Sequence, residues 1–172
     1  NNVMGNRRIE PFNAYRYFEQ LAKENKLIKE HRFKFCRVTG PKNLEEVITT
    51  MRSNSAFFGF DDSDENINFE SNGGFFNRRV FTCFLFKKSR LNNMDDYEEN
   101  KFLCRLIFRQ ICSRLMKDAE SLLIKHNIQV NFDRITFKEI DRTVLFGATG
   151  FYFMINVDEP ENICFRNDEW DR

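Results

Sequence analysis

Residues 75–88 read FFNRRVFTCFLFKK, and this stretch decides the fold because it is long enough for a full central β-strand. The chain has 21 Phe and one Trp among its 172 residues. Further Phe residues mark strand-like runs at Phe58 and Phe60 and at Phe151 and Phe153. Phe buries a large apolar area and has no polar group to satisfy, which suits a packed sheet. The sequence therefore predicts a sheet built around the strand at residues 75–88.

Helices and strands are predicted before this stretch. Apolar residues at helical spacing predict a helix over Phe12–Ile28, and Arg32–Val38 is predicted as a strand. A second helix is predicted from Pro41 to Met51, since proline is tolerated in the first turn. Ser55–Phe60 is predicted as the next strand, and a polar loop over Asp61–Asn72 is expected to follow it.

A long helix and further strands are predicted after the central strand. Asp95 has the capping-box spacing to the Glu three residues later and is expected to begin a helix that runs to about Lys125. Strands are predicted over Val130–Asp141, with a split at Asp133–Arg134, and over Thr149–Val157. The predicted fold class is α+β, with a mostly antiparallel sheet of about five strands. One long helix and two shorter N-terminal helices are expected to pack on this sheet.

The length predicts a single α+β domain over residues 1–172, with flexible arms at residues 1–11 and 158–172. Lys and Arg number 27 and Asp and Glu number 26, so no strong field draws the whole protein toward nucleic acid or an anionic membrane. The two ends differ. Residues 1–40 hold nine basic and four acidic residues, whereas residues 158–172 hold six acidic and two basic ones. These ends either pair head to tail between subunits or are solvated separately.

The cysteines and the hydropathy pattern bear on the compartment. The five cysteines are odd in number, and no two of them have C-x-x-C spacing. Reduced thiols in a protein made in the cytosol are therefore expected. No apolar run approaches the roughly 18 residues of a membrane span, and residues 1–9 lack the apolar core of a signal peptide. No membrane partner is predicted.

Acidic residues come nearest to a metal motif. Asp62, Asp64 and Asn66 match the opening of a calcium loop. The rest of the motif fails, because Ile67 stands where the sharp turn needs Gly and Gly73 stands where a bidentate Glu is needed. A solvated loop is the favoured interpretation.

Other arrangements give no catalytic motif. His31 and His126 lack partners at metal-ligand spacing. Glu139 and Asp141 are two apart on a predicted strand, so they share a face and could hold Mg²⁺, but surface charge is the favoured interpretation. Residues 147–150 lack the length and the Lys of a phosphate loop and are predicted as a turn. The sequence predicts no catalytic residue, no metal ligand and no cofactor.

The predicted long helix has a basic stripe. Lys101, Arg105 and Arg109 are four residues apart and so are expected on one side of the helix. With Arg114 and Lys117 nearby, they could line a passage for DNA through contacts with phosphates, or form a subunit interface. An ordinary solvent-exposed face, or salt bridges with neighbouring Glu residues, is the favoured alternative.

The order of elements resembles the small α+β neck and tail-completion proteins of tailed bacteriophages, in particular tail terminators. The resemblance begins with the strand Arg78–Phe86 (RRVFTCFLF), continues through the long helix from Asp95, and ends with Gly147–Ile155 (GATGFYFMI). It covers residues 75–157 and lies in the topology, not in an invariant motif.

This resemblance implies a virion structural protein without catalytic residues, which forms a ring that closes the tail tube and joins it to the head. The implied partners are copies of the same chain, other neck and tail proteins, and DNA that passes through without specific contacts. The implied location is the host cytoplasm during assembly and then the virion. Two alternatives of other classes stay open: a small cytosolic binding or adaptor protein, and a metal-dependent nuclease that uses Glu139 and Asp141 with Asp133.

Overall fold

The fold is seen in a computed structural model that describes residues 9–39, 55–62, 67–71, 74–90, 92–133, 135–140 and 148–171. The helical elements are α1 (Ala14–Glu24), α2 (Lys26–Glu30), α3 (Met94–His126) and a 3₁₀ turn (Asn167–Glu169). The strands are β1 (Lys34–Arg37), β2 (Ala56–Asp61), β3 (Ile67–Ser71), β4 (Gly74–Lys88), β5 (Gln129–Asn131), β6 (Phe137–Glu139) and β7 (Ala148–Glu161).

The sheet is organised around the long antiparallel pair of β4 and β7. Their register runs from Phe75 opposite Glu161 to Lys88 opposite Ala148. β2 and β3 pair with β4, β5 and β6 pair with β7, and β1 adds to β2 as the one parallel pair among the described strands. The α+β class and the mostly antiparallel sheet with a long helix and shorter N-terminal helices are confirmed. The described sheet has seven strands, not about five.

One extra strand comes from a segment that the sequence predicted differently, and another comes from a predicted split. β3 (Ile67–Ser71) lies inside the predicted polar loop Asp61–Asn72, so that prediction was wrong for these residues. β3 has only five residues, and it forms because the first residues of β4 extend beyond β2 and offer an edge for pairing. The split predicted within Val130–Asp141 is confirmed, since β5 and β6 are separate strands there.

The helix boundaries depend on asparagine caps. The predicted helix Phe12–Ile28 is interrupted at Asn25, whose side chain accepts a hydrogen bond from the N–H of Ile28 at 2.9 Å and so begins α2. Asn93, not Asp95, is the N-cap of α3, because its side chain accepts from the N–H of Asp96 at 3.0 Å. α3 ends at Asn127, whose φ of 54° is left-handed.

The helices cover one face of the sheet. Phe81, Cys83 and Leu85 of β4 alternate with outward residues and share one buried cluster with α1, α2 and α3. Phe18 of α1 stacks on Phe60 of β2 with ring centroids 4.7 Å apart. Each fully buried Phe contributes about 1.5–3 kcal/mol through burial, so the Phe-rich strands fix the position of the helices.

The opposite face of the sheet has a smaller apolar cluster. Phe57 and Phe86 stack there with ring centroids 4.3 Å apart, and both are buried. The helix predicted over Pro41–Met51 lies outside the described residues.

The ends of the chain differ from the predicted arms. β7 runs on to Glu161, so residues 158–161 belong to the sheet and not to an arm. At the other end, the N–H of Glu10 donates to the carbonyl of Lys125 at 3.3 Å, and His126 Nδ1 lies 2.8 Å from the carbonyl of Glu10. The start of the described chain is therefore held at the C-terminal end of α3.

Candidate functional site

The three cations predicted as a stripe lie on α3 and differ in their surroundings. The Nζ atom of Lys101 lies 3.7 Å from Glu139 and 3.8 Å from Glu98, and its side chain is only 19% exposed. Arg105 and Arg109 are exposed and make no ion pair with any residue that the structure describes. A spacing of four residues turns the helix by about 40° more than a full circle. β6 therefore holds Lys101, while the next two cations point outward.

Arg114 is held by α1. Its guanidinium donates to Glu24 at 2.7 Å and to Asp118 at 2.8 Å, and the hydroxyl of Tyr17 donates to Asp118 at 3.0 Å. Burial, and then the bond to Asp118, raises the pKa of Tyr17 far above its usual value. Hydrogen bonds from Gln20 and Arg114 lower the pKa of Glu24. Arg114 thus joins α1 to α3 and has two carboxylate partners within its own chain.

The outward side of α3 has an unusual number of exposed apolar side chains. We define the outer face as the exposed residues of α3 between Phe102 and Ile124. Phe102, Met116, Leu123 and Ile124 are 70%, 65%, 50% and 57% exposed, respectively. Phe102, Met116 and Leu123 fall, with Arg109, on a seven-residue spacing, which drifts only about 20° per step along a helix. They form one continuous stripe opposite the buried one.

The charges on the outer face are mainly basic. Arg105, Arg109 and Lys117 are exposed there, against Glu120. A shallow cleft of about 440 Å³ lies beside this face, and its lining includes Arg109, Lys117 and Arg114. The outer face therefore combines apolar contact area with positive charge.

A second exposed apolar surface is residues 162–171, which we call the C-terminal segment. Ile163, Phe165 and Trp170 are 59%, 63% and 64% exposed. The rings of Phe165 and Trp170 stack with centroids 6.2 Å apart. Arg166 pairs with Asp168 at 2.9 Å and with Glu169 at 3.7 Å. The segment is thus stabilised by contacts among its own residues, and its two aromatic rings are exposed to solvent.

A second cleft contains polar groups that pair across it. This cleft, of about 490 Å³, lies between the α1–α2 junction and α3. Asn25 donates to Gln110 at 2.8 Å across it, and the Arg114–Glu24 pair closes its rim. Lys26 and Glu30 also line it.

Two of the predicted acidic candidates each have a basic partner. Asp62 pairs with Arg37 at 3.4 Å, while Asp64 and Asn66 lie outside the described residues. Glu139 forms an ion pair with Lys101, and Asp141 lies outside the described residues as well.

Both histidines contact neighbouring residues within the fold. The Nδ1 atom of His31 lies 3.3 Å from Nζ of Lys87, and His126 contacts the backbone of Glu10. Within the described ranges, no three His, Cys, Asp or Glu residues lie close enough together to hold a metal ion.

The segment predicted as a turn at residues 147–150 is partly strand. β7 begins at Ala148, and Thr149 is fully buried with its hydroxyl 2.8 Å from that of Ser89. Asn100 of α3 donates to Ser89 at 3.0 Å and to the carbonyl of Lys88 at 3.1 Å. This buried polar cluster links the first turns of α3 to the end of β4, and no local sequence pattern predicts it.

Sequence reasoning also missed the apolar outer face and the aromatic C-terminal segment. The seven-residue spacing of Phe102, Met116 and Leu123 indicates a second apolar stripe on the helix. This stripe lies on the side opposite the buried residues Leu103 and Ile107.

Comparisons with known proteins give no relative, since no family model and no curated protein matches the sequence. Among the described residues, no helix is both long and apolar enough to cross a membrane.

Proposed function

We propose that the protein is a structural subunit that assembles with copies of itself into a closed ring, of the kind that tail terminators form in the neck of tailed bacteriophages. The observation that carries this proposal is the presence of two unlike exposed apolar surfaces on one subunit. They are the outer face of α3 and the C-terminal segment, and each has several large apolar side chains that are at least half exposed.

Two unlike surfaces are what a head-to-tail interface requires. In such an interface each subunit offers one patch to the neighbour before it and a different patch to the neighbour after it, and a ring forms when the rotation closes. Exposed apolar patches of this kind mark interaction surfaces in soluble proteins. The long β4–β7 pair and the helices on one face supply a rigid body that carries the outer face, and β7 leads directly into the C-terminal segment.

The step from a ring to a phage neck rests on the resemblance of the element order to tail terminators. In that setting the ring would close the tail tube and join it to the head. Arg105 and Arg109 would be available either to a neighbouring subunit or to DNA in the channel.

Multi-angle light scattering of the full chain over a wide range of concentration tests the ring. We expect one defined multimer, or a mass that rises with concentration to a plateau, and closed rings with a central channel by electron microscopy. A monomer at every concentration would contradict the proposal. It would favour the adaptor or enzyme alternatives, neither of which needs self-assembly.

Binding to purified tail tubes tests the neck assignment separately. The ring is expected to sit at one end of a tube and to stop its further growth. Rings that neither bind nor stop tubes would leave the assembly intact but contradict the tail-terminator role.

A further inference from the structure

The two exposed surfaces match each other in apolar character. Phe165 and Trp170 form a stacked pair at 6.2 Å, and Phe102 and Met116 lie exposed along the outer face of α3. Aromatic side chains dominate the binding energy of many interfaces, since they bury a large area at a small cost in conformational entropy. The stacked rings are therefore suited to serve as the anchor of an interface.

The two surfaces also match in charge. The C-terminal segment has three acids, Asp168, Glu169 and Asp171, against Arg166. The outer face has three exposed cations against one exposed acid, Glu120. A net charge of opposite sign on the two surfaces favours their encounter and fixes which surface meets which.

The outer face is long enough to receive the folded C-terminal segment. The stretch of α3 from Phe102 to Leu123 covers about 32 Å at about 1.5 Å per residue. The segment is folded by the 3₁₀ turn Asn167–Glu169 and by the stacked pair of Phe165 and Trp170. It therefore presents both rings together to one part of the outer face.

Within one chain the two surfaces stay apart. Every hydrogen bond and ion pair formed by described residues 162–171 is internal to that segment. The outer face likewise remains exposed. Both surfaces are thus open to another copy of the chain.

We infer that the C-terminal segment of one subunit binds along the outer face of α3 in the next subunit, and this inference rests on the ring assembly proposed above. Phe165 and Trp170 pack between Phe102 and Met116, and the acids of the segment meet Arg105, Arg109 and Lys117. The two rings bury about 300–500 Å², which is less than the roughly 800 Å² per partner of a stable interface. A single contact of this kind is therefore weak. In a closed ring several such contacts form at once, and together they stabilise the assembly.

The single Trp of the chain reports on this contact without any labelling, because Trp170 lies in the segment itself. As the protein concentration rises, its fluorescence is expected to move to shorter wavelength and to become shielded from iodide, in parallel with the mass. A spectrum that stays that of exposed Trp in the assembled ring overturns the inference. A spectrum shifted to the same extent at every concentration also overturns it, since the segment would then bind its own chain.

Charge reversal tests the pairing. Arg105→Glu with Arg109→Glu is expected to weaken assembly about tenfold in dissociation constant, because the reversal places like charges opposite each other. Glu169→Arg with Asp171→Arg should do the same, and it leaves the 2.9 Å pair of Arg166 and Asp168 in place. All four changes in one chain are expected to restore assembly, which a misfolded variant could not do. Failure of this rescue overturns the pairing.

A matched control uses other exposed cations. Arg16→Glu with Lys29→Glu removes the same charge from α1 and α2, and we expect it to leave the mass and the Trp spectrum unchanged. Loss of assembly in this control, with none in the Arg105 and Arg109 variant, would overturn the inference and place the acidic end on the basic N-terminal part.

Removal of residues 162–172 separates the inference from the proposed function. Rings that form equally well without the segment overturn the inference but leave the ring intact. A full-length chain that never assembles overturns both. Duplex DNA is the other occupant to test. If DNA binding by assembled rings is lost in Arg105→Glu with Arg109→Glu while their mass is unchanged, the outer face binds DNA, and the inference is wrong.

Discussion

Arg78 and Asp158 form a two-point ion pair across the central strands, with Nε to Oδ1 at 2.8 Å and an Nη atom to Oδ2 at 3.1 Å. They are directly opposite each other in the register of β4 and β7. The guanidinium of Arg78 lowers the pKa of Asp158, although partial burial acts in the other direction. The pair ties the end of β7, just before the C-terminal segment, to the sheet.

This pair predicts an acid dependence of stability. Because the pKa of Asp158 is lower in the folded state, its contribution is fully present above the unfolded-state pKa of about 3.9 and is lost as the pH falls through the folded-state pKa. Asp158→Asn should lower the free energy of unfolding at neutral pH by about 1 kcal/mol and flatten its decline in acid. Urea unfolding followed by circular dichroism at several pH values measures this. Asp168→Asn, in the exposed segment, is the control, and an equal effect there would contradict the assignment.

Gly59 is predicted to resist substitution. A Cβ atom at this position would lie 2.8 Å from Cγ2 of Val38 and 3.4 Å from Cβ of Phe84. Val38 is fully buried and cannot move away easily. Gly59→Ala should therefore lower the free energy of unfolding by about 1–3 kcal/mol through overpacking. The double variant Gly59→Ala with Val38→Ala should recover part of this loss beyond additivity, and strict additivity of the two losses would count against the contact.

Two Phe residues form a matched test of burial. Phe60 is fully buried and stacks on Phe18, whereas Phe102 is 70% exposed. Phe60→Ala should cost about 3–5 kcal/mol in the free energy of unfolding. Phe102→Ala should change it by less than about 0.5 kcal/mol. Thermal and urea unfolding at a concentration below assembly provide the comparison, and a large loss at Phe102 would show that its side chain packs within the subunit.

The five cysteines are predicted to be thiols of different reactivity. Burial raises the pKa of Cys36 and Cys112 to about 11 and that of Cys104 to about 12, and it raises the pKa of buried Cys83 well above its usual value. Cys164 is exposed. Because the thiolate is the reactive form, a thiol reagent at about pH 8 should modify Cys164 first in the folded protein.

The total thiol count checks the same assignment. After denaturation without reductant, five groups should react, since all five cysteines are free in the described chain. Cys164→Ser should remove the fast phase alone. Fewer than four groups would mean a disulfide bond.

Nuclease turnover is predicted to be absent. Glu139 is paired with Lys101 at 3.7 Å, and its backbone belongs to a strand of only three residues. Incubation with Mg²⁺ or Mn²⁺ should leave single- and double-stranded DNA intact. Cleavage that disappears in Glu139→Gln but persists in the surface control Glu120→Gln would contradict this prediction.

The sequence by itself determined the elements whose pattern is local. The length and Phe content of residues 75–88 were sufficient to predict β4. The apolar spacing at Leu103, Ile107 and Ile111 was sufficient to predict α3, because a period of about 3.6 residues shows which side of a helix is apolar. The α+β class followed from the order of these elements.

Tertiary structure alone decided the features that depend on a distant partner. β3 exists because β4 extends beyond β2, and residues 158–161 join the sheet because β4 faces them along its full length. Lys101 has an ion-pair partner because Glu139, on β6, lies within reach of its ammonium group. Spacing along a chain predicts which side chains share a face. The ion-pair partner of each charge, and the strand that pairs with each edge, come from elsewhere in the sequence, so they are determined only when the sheet and α3 pack together.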